Sequence, residues 1–524
     1  MLTDYFRPAS LRTAAALVAA SLVASCETHS GERVNGSATA AVVAPDVAVE
    51  RVIQQAYRAI GDRHIFDPDF RKLAPETYRG FAAPDPAMAL RATGRSFTVL
   101  RDGKEVLSRP VPESPDDGRA WGSLMAELMA ASFEASPALQ RANRQTLIKG
   151  ALTATTKLLD RNTRYADPDE ARENRFQRDG GGGVGITVER TDEKKVFIRN
   201  VQDNSPASKA GLKTGDQIVA IDGIPIGERP LSDVVMQLRG AIGTELTIGV
   251  MRTGLDRELT LGLRRGRIVP TTVIYERQGD VARIRLIGFN SATTDTLRAT
   301  IDRARAEIGP GMAGLILDMR GNRCGLLDQA LSVAEVFIAD GPVFSTNGRH
   351  PDSRRSYRSA GNGKTPGMPI VALINGSSAS AAEIVAAALQ DRGRAVLVGT
   401  TSYGKGTVQT VVKLANEAEL IMTWSRLQAP SGYTWNELGV LPNVCSANVG
   451  ELPTMDADSN RASLMRWHAM RNPTQEEVTA LRKICPPGEG APDRDIEIAN
   501  RLLADRQLYA RAVRAGHDQA SVGR

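Results

Sequence analysis

The chain of 524 residues reads as a multidomain α/β protein: a helical N-terminal region, an inserted β-rich domain, and a core of alternating strands and helices. Three observations predict this. Apolar residues recur at helical spacing in the first third, short alternating strands follow a run of four glycines, and longer apolar strands then alternate with helices. A composition of 42% apolar and 24% charged residues is normal for globular protein, and the length calls for several domains. The formal charge of +6 comes from 66 basic and 60 acidic residues spread along the chain, with no basic block to track a phosphate backbone. Nucleic acid is therefore not an expected partner.

Residues 1–26 have Arg7 and Arg12 ahead of the apolar run AAALVAASLVAS, which ends at Cys26 and is too short to span a membrane as a mature helix. This is an export signal. Val23-Ala24-Ser25-Cys26 resembles a bacterial lipobox, which implies acylation of Cys26, a membrane anchor, and a location on the periplasmic side of a bacterial membrane. Cleavage at a neighbouring small residue, with loss of Cys26, is the other reading. Residues 27–49, aperiodic and rich in small side chains, read as a tether. Cys324, Cys445 and Cys485 remain; Cys445 and Cys485 could pair in an oxidising compartment, and no zinc-binding pattern is present.

Residues 50–178 read as mainly helical, from VERVIQQAYRAI, WGSLMAELMAASF and LIKGALTATTKLLD, with a short hairpin at SFTVLRDGKEVL. Residues 180–266 begin GGGGVGITV and continue as short strands, with a small helix at SPASKAGLKTGD and a longer one at LSDVVMQLRG. This order resembles a PDZ domain. Glycines let successive N–H groups converge on an anion, so Val184, Gly185 and Ile186 are the expected seat of a peptide carboxylate, beside an open strand edge. The expected partner is an extended protein C-terminus.

Residues 268–445 alternate strand and helix: RIRLIGF, TDTLRATIDRARAEI, AGLILDMRG, LLDQALSVAEVFI, PIVALIN, AAEIVAAALQ, AVLVG. Such units bury a parallel sheet and place ligands at the C-terminal ends of its strands. Two loops lie at such ends, NGSSAS after PIVALIN and TTSYGKG after AVLVG. Residues 446–524 read as an extension, helical in its second half, for docking or oligomerisation.

GTTSYGKGTVQ is one residue short of a phosphate-binding loop, since Gly406 stands where a magnesium-binding hydroxyl belongs. A phosphate loop also needs a helix after its lysine, whereas TVQTVVKL alternates as a strand. A degenerate nucleotide-binding enzyme is thus a disfavoured alternative. Ser380 opens Ser-Ala-Ala-Glu383, an ordinary helix-capping pattern, but it follows a buried strand and a Gly-Ser loop where a hydroxyl would be exposed near backbone N–H groups. Of the five histidines, His29, His64, His350, His468 and His517, none lies in a catalytic motif. Lys405 could act as base if neutral, which requires burial to lower a pKa of about 10.4.

NGSSASAAEIVAAALQDRGRAVLVGTTSYGKGTVQ closely resembles the active-site segment of the C-terminal processing peptidases, serine endopeptidases with an embedded PDZ domain and a crotonase-like core. The resemblance runs from LLDRNTRYADP to SGYTWNELGVLPNV. It implies Ser380 as nucleophile, Lys405 as general base, Gln409 as the residue that positions the lysine, and acyl transfer without metal or cofactor. Four strand residues span ~13 Å, so contact between Lys405 and Gln409 requires the glycines at 404 and 406 to bend the chain. The resemblance also implies an oxyanion hole from the N–H groups of Ala381 and Gly325. There the chain departs from the family, with Asn322-Arg323-Cys324-Gly325 in place of Asn-Pro-Gly-Gly, and a positive φ at Cys324 would be strained. That departure motivates the competing reading, a catalytically impaired PDZ scaffold. An adaptor or a second copy of the chain is a further partner left open.

Overall fold

The computed structural model describes residues 48–360, 363–449 and 460–516. The leader, Cys26 and nearly all of the tether lie outside these residues.

Helices Val49–Arg63, Phe70–Ala82, Gly118–Ala135 and Arg144–Thr156 enclose the N-terminal core. The last three start at Asp69, Asp117 and Asn143, whose side chains accept from the first free N–H groups. The predicted hairpin is present, Ser96–Arg101 with Lys104–Pro110, turning at Asp102-Gly103 with positive φ at both. A third strand, Met88–Ala92, pairs on its other side. Leu414, Ala418, Leu420 and Met422 join this core from the hairpin downstream of Lys405. Asp160 reinforces the junction by accepting from His64, Thr163 and Thr423.

The β-rich insert is a sheet in the order Leu259–Arg264, Glu245–Met251, Gln217–Ile221, Val196–Val201, Ile186–Arg190. Ile186–Arg190 is an edge, with a partner on one side only, and the helix Leu231–Leu238 packs near it. Its two connections to the rest of the chain, Gly181–Gly183 and Gly266–Ile268, pair antiparallel.

The core sheet runs Val273–Gln278, Val281–Leu286, Gly314–Asp318, Ile370–Ile374, Val396–Gly399, Val444–Cys445; its first pair is antiparallel and the rest parallel. Its central strands are apolar throughout because both faces are covered. Leu315, Leu317, Ala372 and Leu397 face helices Thr293–Ile308, Leu327–Phe337 and Ala381–Asp391. Ile316, Val371, Leu373 and Val398 face Ile498, Ala499, Leu502, Leu503 and Leu508. These last belong to helices Pro492–Ala504 and Arg506–Gly516, which form the second layer of the core, while Leu464, Trp467, Val478 and Leu481 of the same C-terminal segment pack into the first. Arg320 ties it down, pairing with Asp318 and with the buried Asp495. Cys445 and Cys485 form a disulfide.

Candidate functional site

The parallel strand Ile370–Ile374 ends in the loop Asn375-Gly376-Ser377-Ser378-Ala379, and Ser380 caps the helix Ala381–Asp391. Ser380 has φ 57° and ψ −111°, a strained conformation for a residue with a side chain, which persists only where the surroundings impose it. They do so here. The Ala379 N–H donates to Asn322 O at 2.8 Å, Ser378 Oγ to Met319 O at 2.9 Å, and the Ser380 N–H to Glu383 Oε2 at 2.8 Å.

The neighbouring strand, Val396–Gly399, ends in the loop that carries Lys405. The Lys405 N–H also donates to Glu383 Oε2, at 2.9 Å, and the Gly404 N–H to Oε1 at 2.7 Å. Ser402 Oγ donates to the same Oε1 and accepts from the Val440 N–H at 2.7 Å. Glu383 is fully buried; burial raises its carboxyl above the usual range, while hydrogen bonds from Ser402, Gly404, Ser380 and Lys405 act against that rise. One carboxylate thus fastens both loops. The sequence shows Glu383 only as the fourth residue of a capping pattern.

The glycines beside the lysine have a structural reason. Gly404 has φ 94°, and a Cβ on Gly406 would lie 2.4 Å from Asn436 N. They let the loop lie flat against residues 436–437. The chain after them is the strand Thr407–Lys413, with a register shift between Val408 and Gln409. A strand in place of a helix removes the nucleotide-binding alternative. Gln409 Nε2 donates to Thr407 Oγ1 at 3.0 Å, beside the register shift, rather than to a group of Lys405. No hydrogen bond joins Ser380 to Lys405 in this arrangement of the described residues, and both are half-buried.

The Ala381 and Gly325 N–H groups have no acceptor among the described residues, and Gly325 lies against Phe289 in an isolated bridge. The left-handed position of this loop is Gly321, φ 73°, and Cys324 is not left-handed. The strain considered for Cys324 is therefore absent. His64 is buried on Asp160, and His468 stacks on Tyr433 and contacts Gln390. His350 lies near Asp62 and Asp352. None of these three bonds to Ser380.

A cleft of about 1000 Å³ opens beside the two loops, lined among others by Arg161, Ser377, Tyr403, Arg482 and Glu489. In the insert, Val184 and Gly185 are buried, Gly185 has φ 83°, and their N–H groups have no protein acceptor among the described residues. Ile186 opens the edge strand and, with Leu231 and Val235, packs half-buried on the insert's core.

Residues 280–446 match the model of peptidase family S41, and residues 182–263 match that of the PDZ domain. A carboxy-terminal-processing protease of Bartonella bacilliformis is 37% identical over 302 residues, 57% of this chain and 69% of the relative. The chain belongs to the carboxy-terminal processing protease family. The chloroplastic C-terminal processing peptidase of Tetradesmus obliquus is 30% identical over 385 residues, 69% of this chain and 79% of the relative. A solved photosystem II D1 C-terminal processing protease aligns over 76% of this chain and 93% of its own, with 23% identity and a TM-score of 0.38. The protease is accordingly a serine-type peptidase with an S41 fold and a PDZ domain.

Proposed function

We propose that this protease is an exported, lipid-anchored endopeptidase that seats an extended protein C-terminus on its PDZ domain and cleaves the chain with a Ser380–Lys405 dyad. The observation that carries the dyad is the shared carboxylate: Glu383 binds the N–H groups of both residues and brings two motifs, far apart in sequence, to one point.

In the proposed reaction Lys405 takes the proton of Ser380 Oγ as that oxygen attacks the scissile carbonyl. The N–H groups of Ala381 and Gly325, without an acceptor among the described residues, donate to the developing oxyanion. The tetrahedral adduct collapses, the C–N bond breaks, and the Lys405 proton passes to the leaving amine. Water, deprotonated by Lys405, then attacks the acyl-enzyme; the ester C–O bond breaks, the acid product leaves, and the Lys405 proton returns to Ser380 Oγ. The Ser380 to Lys405 hydrogen bond forms as substrate engages, as catalytic contacts commonly tighten in the substrate complex. Gln409, freed from Thr407, orients the amine in that closed state.

The PDZ role is supported by the N–H groups of Val184 and Gly185, unpaired among the described residues, beside an edge strand. The groove side chains Ile186, Leu231 and Val235 favour an apolar terminal residue. Export is supported by the leader and by the Cys445–Cys485 disulfide, a bond that persists in oxidising compartments. Membrane fractionation of wild type and Cys26→Ala tests the anchor: wild type should sediment with membranes and the variant should not, and equal distribution of both contradicts it. Hydrolysis of an unstructured peptide by purified wild type and Ser380→Ala tests the activity. Equal turnover by both would remove Ser380 as nucleophile, and no turnover by wild type would favour the PDZ scaffold.

A further inference from the structure

The loops that carry Ser380 and Lys405 are both held by a third segment, residues 482–489, which lies beyond the matched peptidase region. Cys485 fixes it through the disulfide to Cys445, on the strand that pairs with Val396–Gly399. Gly488 O accepts from the Gly376 N–H and from Thr400 Oγ1, each at 2.8 Å, one contact to either loop. Arg482 Nη1 donates to the carbonyls of Glu437 and Leu438 at 2.9 Å, against the turn whose Glu437 N–H bonds Gly404 O.

Glu489 makes the most consequential contacts. Its Oε1 accepts from Ser377 Oγ at 2.7 Å and its Oε2 from Asn375 Nδ2 at 2.9 Å. The other end of that amide, Asn375 Oδ1, accepts from the Ser377 N–H at 3.1 Å and from the Gly321 N–H at 3.0 Å. A carboxylate accepts only, so it can face only the NH₂ end of Asn375 and thereby aims the oxygen at the backbone. Gly321 opens the loop that leads to Gly325, and Ser377 lies three residues before Ser380. One side chain therefore sets the register between the nucleophile loop and the loop offering an oxyanion donor.

We propose that Glu489 is a positioning residue for peptide hydrolysis, acting through Asn375 on these two loops. This rests on the reading of Ser380 as nucleophile. Glu489 is exposed, so its loss should misplace catalytic groups without unfolding the protein. A displacement near 1 Å is enough to lower turnover by about 10²-fold.

The test uses the full chain as wild type, Ser380→Ala, Glu489→Ala, Glu489→Gln and Glu489→Asp, with an unstructured peptide as substrate. Glu489→Ala should lower kcat by about 10- to 100-fold, with KM within about twofold and Tm within about 3 °C of wild type. Glu489→Asp should recover most of the loss. Glu489→Gln, close in size, should fall between and keeps the test valid if the alanine variant is unstable. The pH profile should keep its shape at a lower plateau, since Glu489 exchanges no proton in the reaction. Unchanged kcat in Glu489→Ala and Glu489→Gln, a loss confined to KM, or no recovery by aspartate overturns the proposal while an inactive Ser380→Ala leaves the nucleophile standing. An active Ser380→Ala removes the nucleophile, and this proposal with it.

Discussion

The N–H groups of Ser380 and Lys405 donate to a single oxygen, Oε2 of Glu383, at 2.8 and 2.9 Å. Two loops that leave neighbouring parallel strands are thereby fixed at the ends where such sheets place their ligands. Removing that acceptor releases both. Glu383→Gln puts an NH₂ group among four donors and strands buried polar groups. It should lower kcat by about 10²-fold or more, while the PDZ domain still binds a peptide terminus; peptide binding by anisotropy alongside turnover checks both halves. Because burial raises the Glu383 carboxyl, its ionisation weighs against the fold as pH climbs above the usual carboxylate range.

Asp160 has the opposite sign. Burial acts to raise its carboxyl, but hydrogen bonds from His64, Thr163, Asn162 and Thr423 outweigh that and hold it well below the usual range. Its stabilisation is therefore present above a pH near 4 and is lost as pH falls below it. Asp160→Asn should be less stable than wild type by about 1 to 3 kcal/mol at pH 7, with the difference shrinking toward pH ~2. Urea unfolding across that range checks the sign; a gap that widens on acidification contradicts it.

The disulfide closes a loop with a sequence separation of 40 and joins the last core strand to the segment that braces the catalytic loops. Loop-closure entropy for that length gives about 4 kcal/mol as an upper figure, so replacing both cysteines by serine should cost about 2 to 4 kcal/mol. Denaturant midpoints of the two proteins supply the measurement.

Gly185 has φ 83°, and a Cβ there would lie 2.3 Å from Ser205 Cβ. Gly185→Ala should therefore displace the carboxylate loop and weaken binding of a free C-terminus by at least about tenfold, roughly one lost hydrogen bond to a charge. Titration with a free-acid peptide and its amide distinguishes the cause. Wild type should prefer the acid strongly, and equal affinities would remove carboxylate recognition altogether.

Much of the fold is legible because its signals are local. Apolar strands such as AGLILDMRG announce burial on both faces, Asp102-Gly103 announces a tight turn, and the strand after Lys405 announces itself by alternation. What the sequence conceals is partnership across distance. The apolar stripe of DRDIEIANRLLA says that a face is buried but not that it covers Ile316, Val371 and Leu373. Glu383 looks like a helix cap because its link to Ser380 is local, whereas its links to Ser402, Gly404 and Lys405 come from folding. The role of Gln409 comes from the resemblance alone, and the register shift beside it is not visible in the alternation of TVQTVVKL. The departure from Asn-Pro-Gly-Gly carries no strain at Cys324, because the left-handed position falls at Gly321, three residues earlier.

The dyad is tested most directly by Lys405→Arg, assayed for turnover of an unstructured peptide beside Ser380→Ala over about pH 6 to 10. Arginine keeps the positive charge but cannot deprotonate usefully, so a lysine that only steadies the loop tolerates the change and a lysine that takes a proton does not. General-base catalysis by one group supplies about 10²- to 10⁴-fold, and groups that act as a unit fail together. The account predicts that Lys405→Arg is nearly as inactive as Ser380→Ala at every pH while binding peptide termini normally. Substantial turnover by Lys405→Arg at any pH in that range would contradict it.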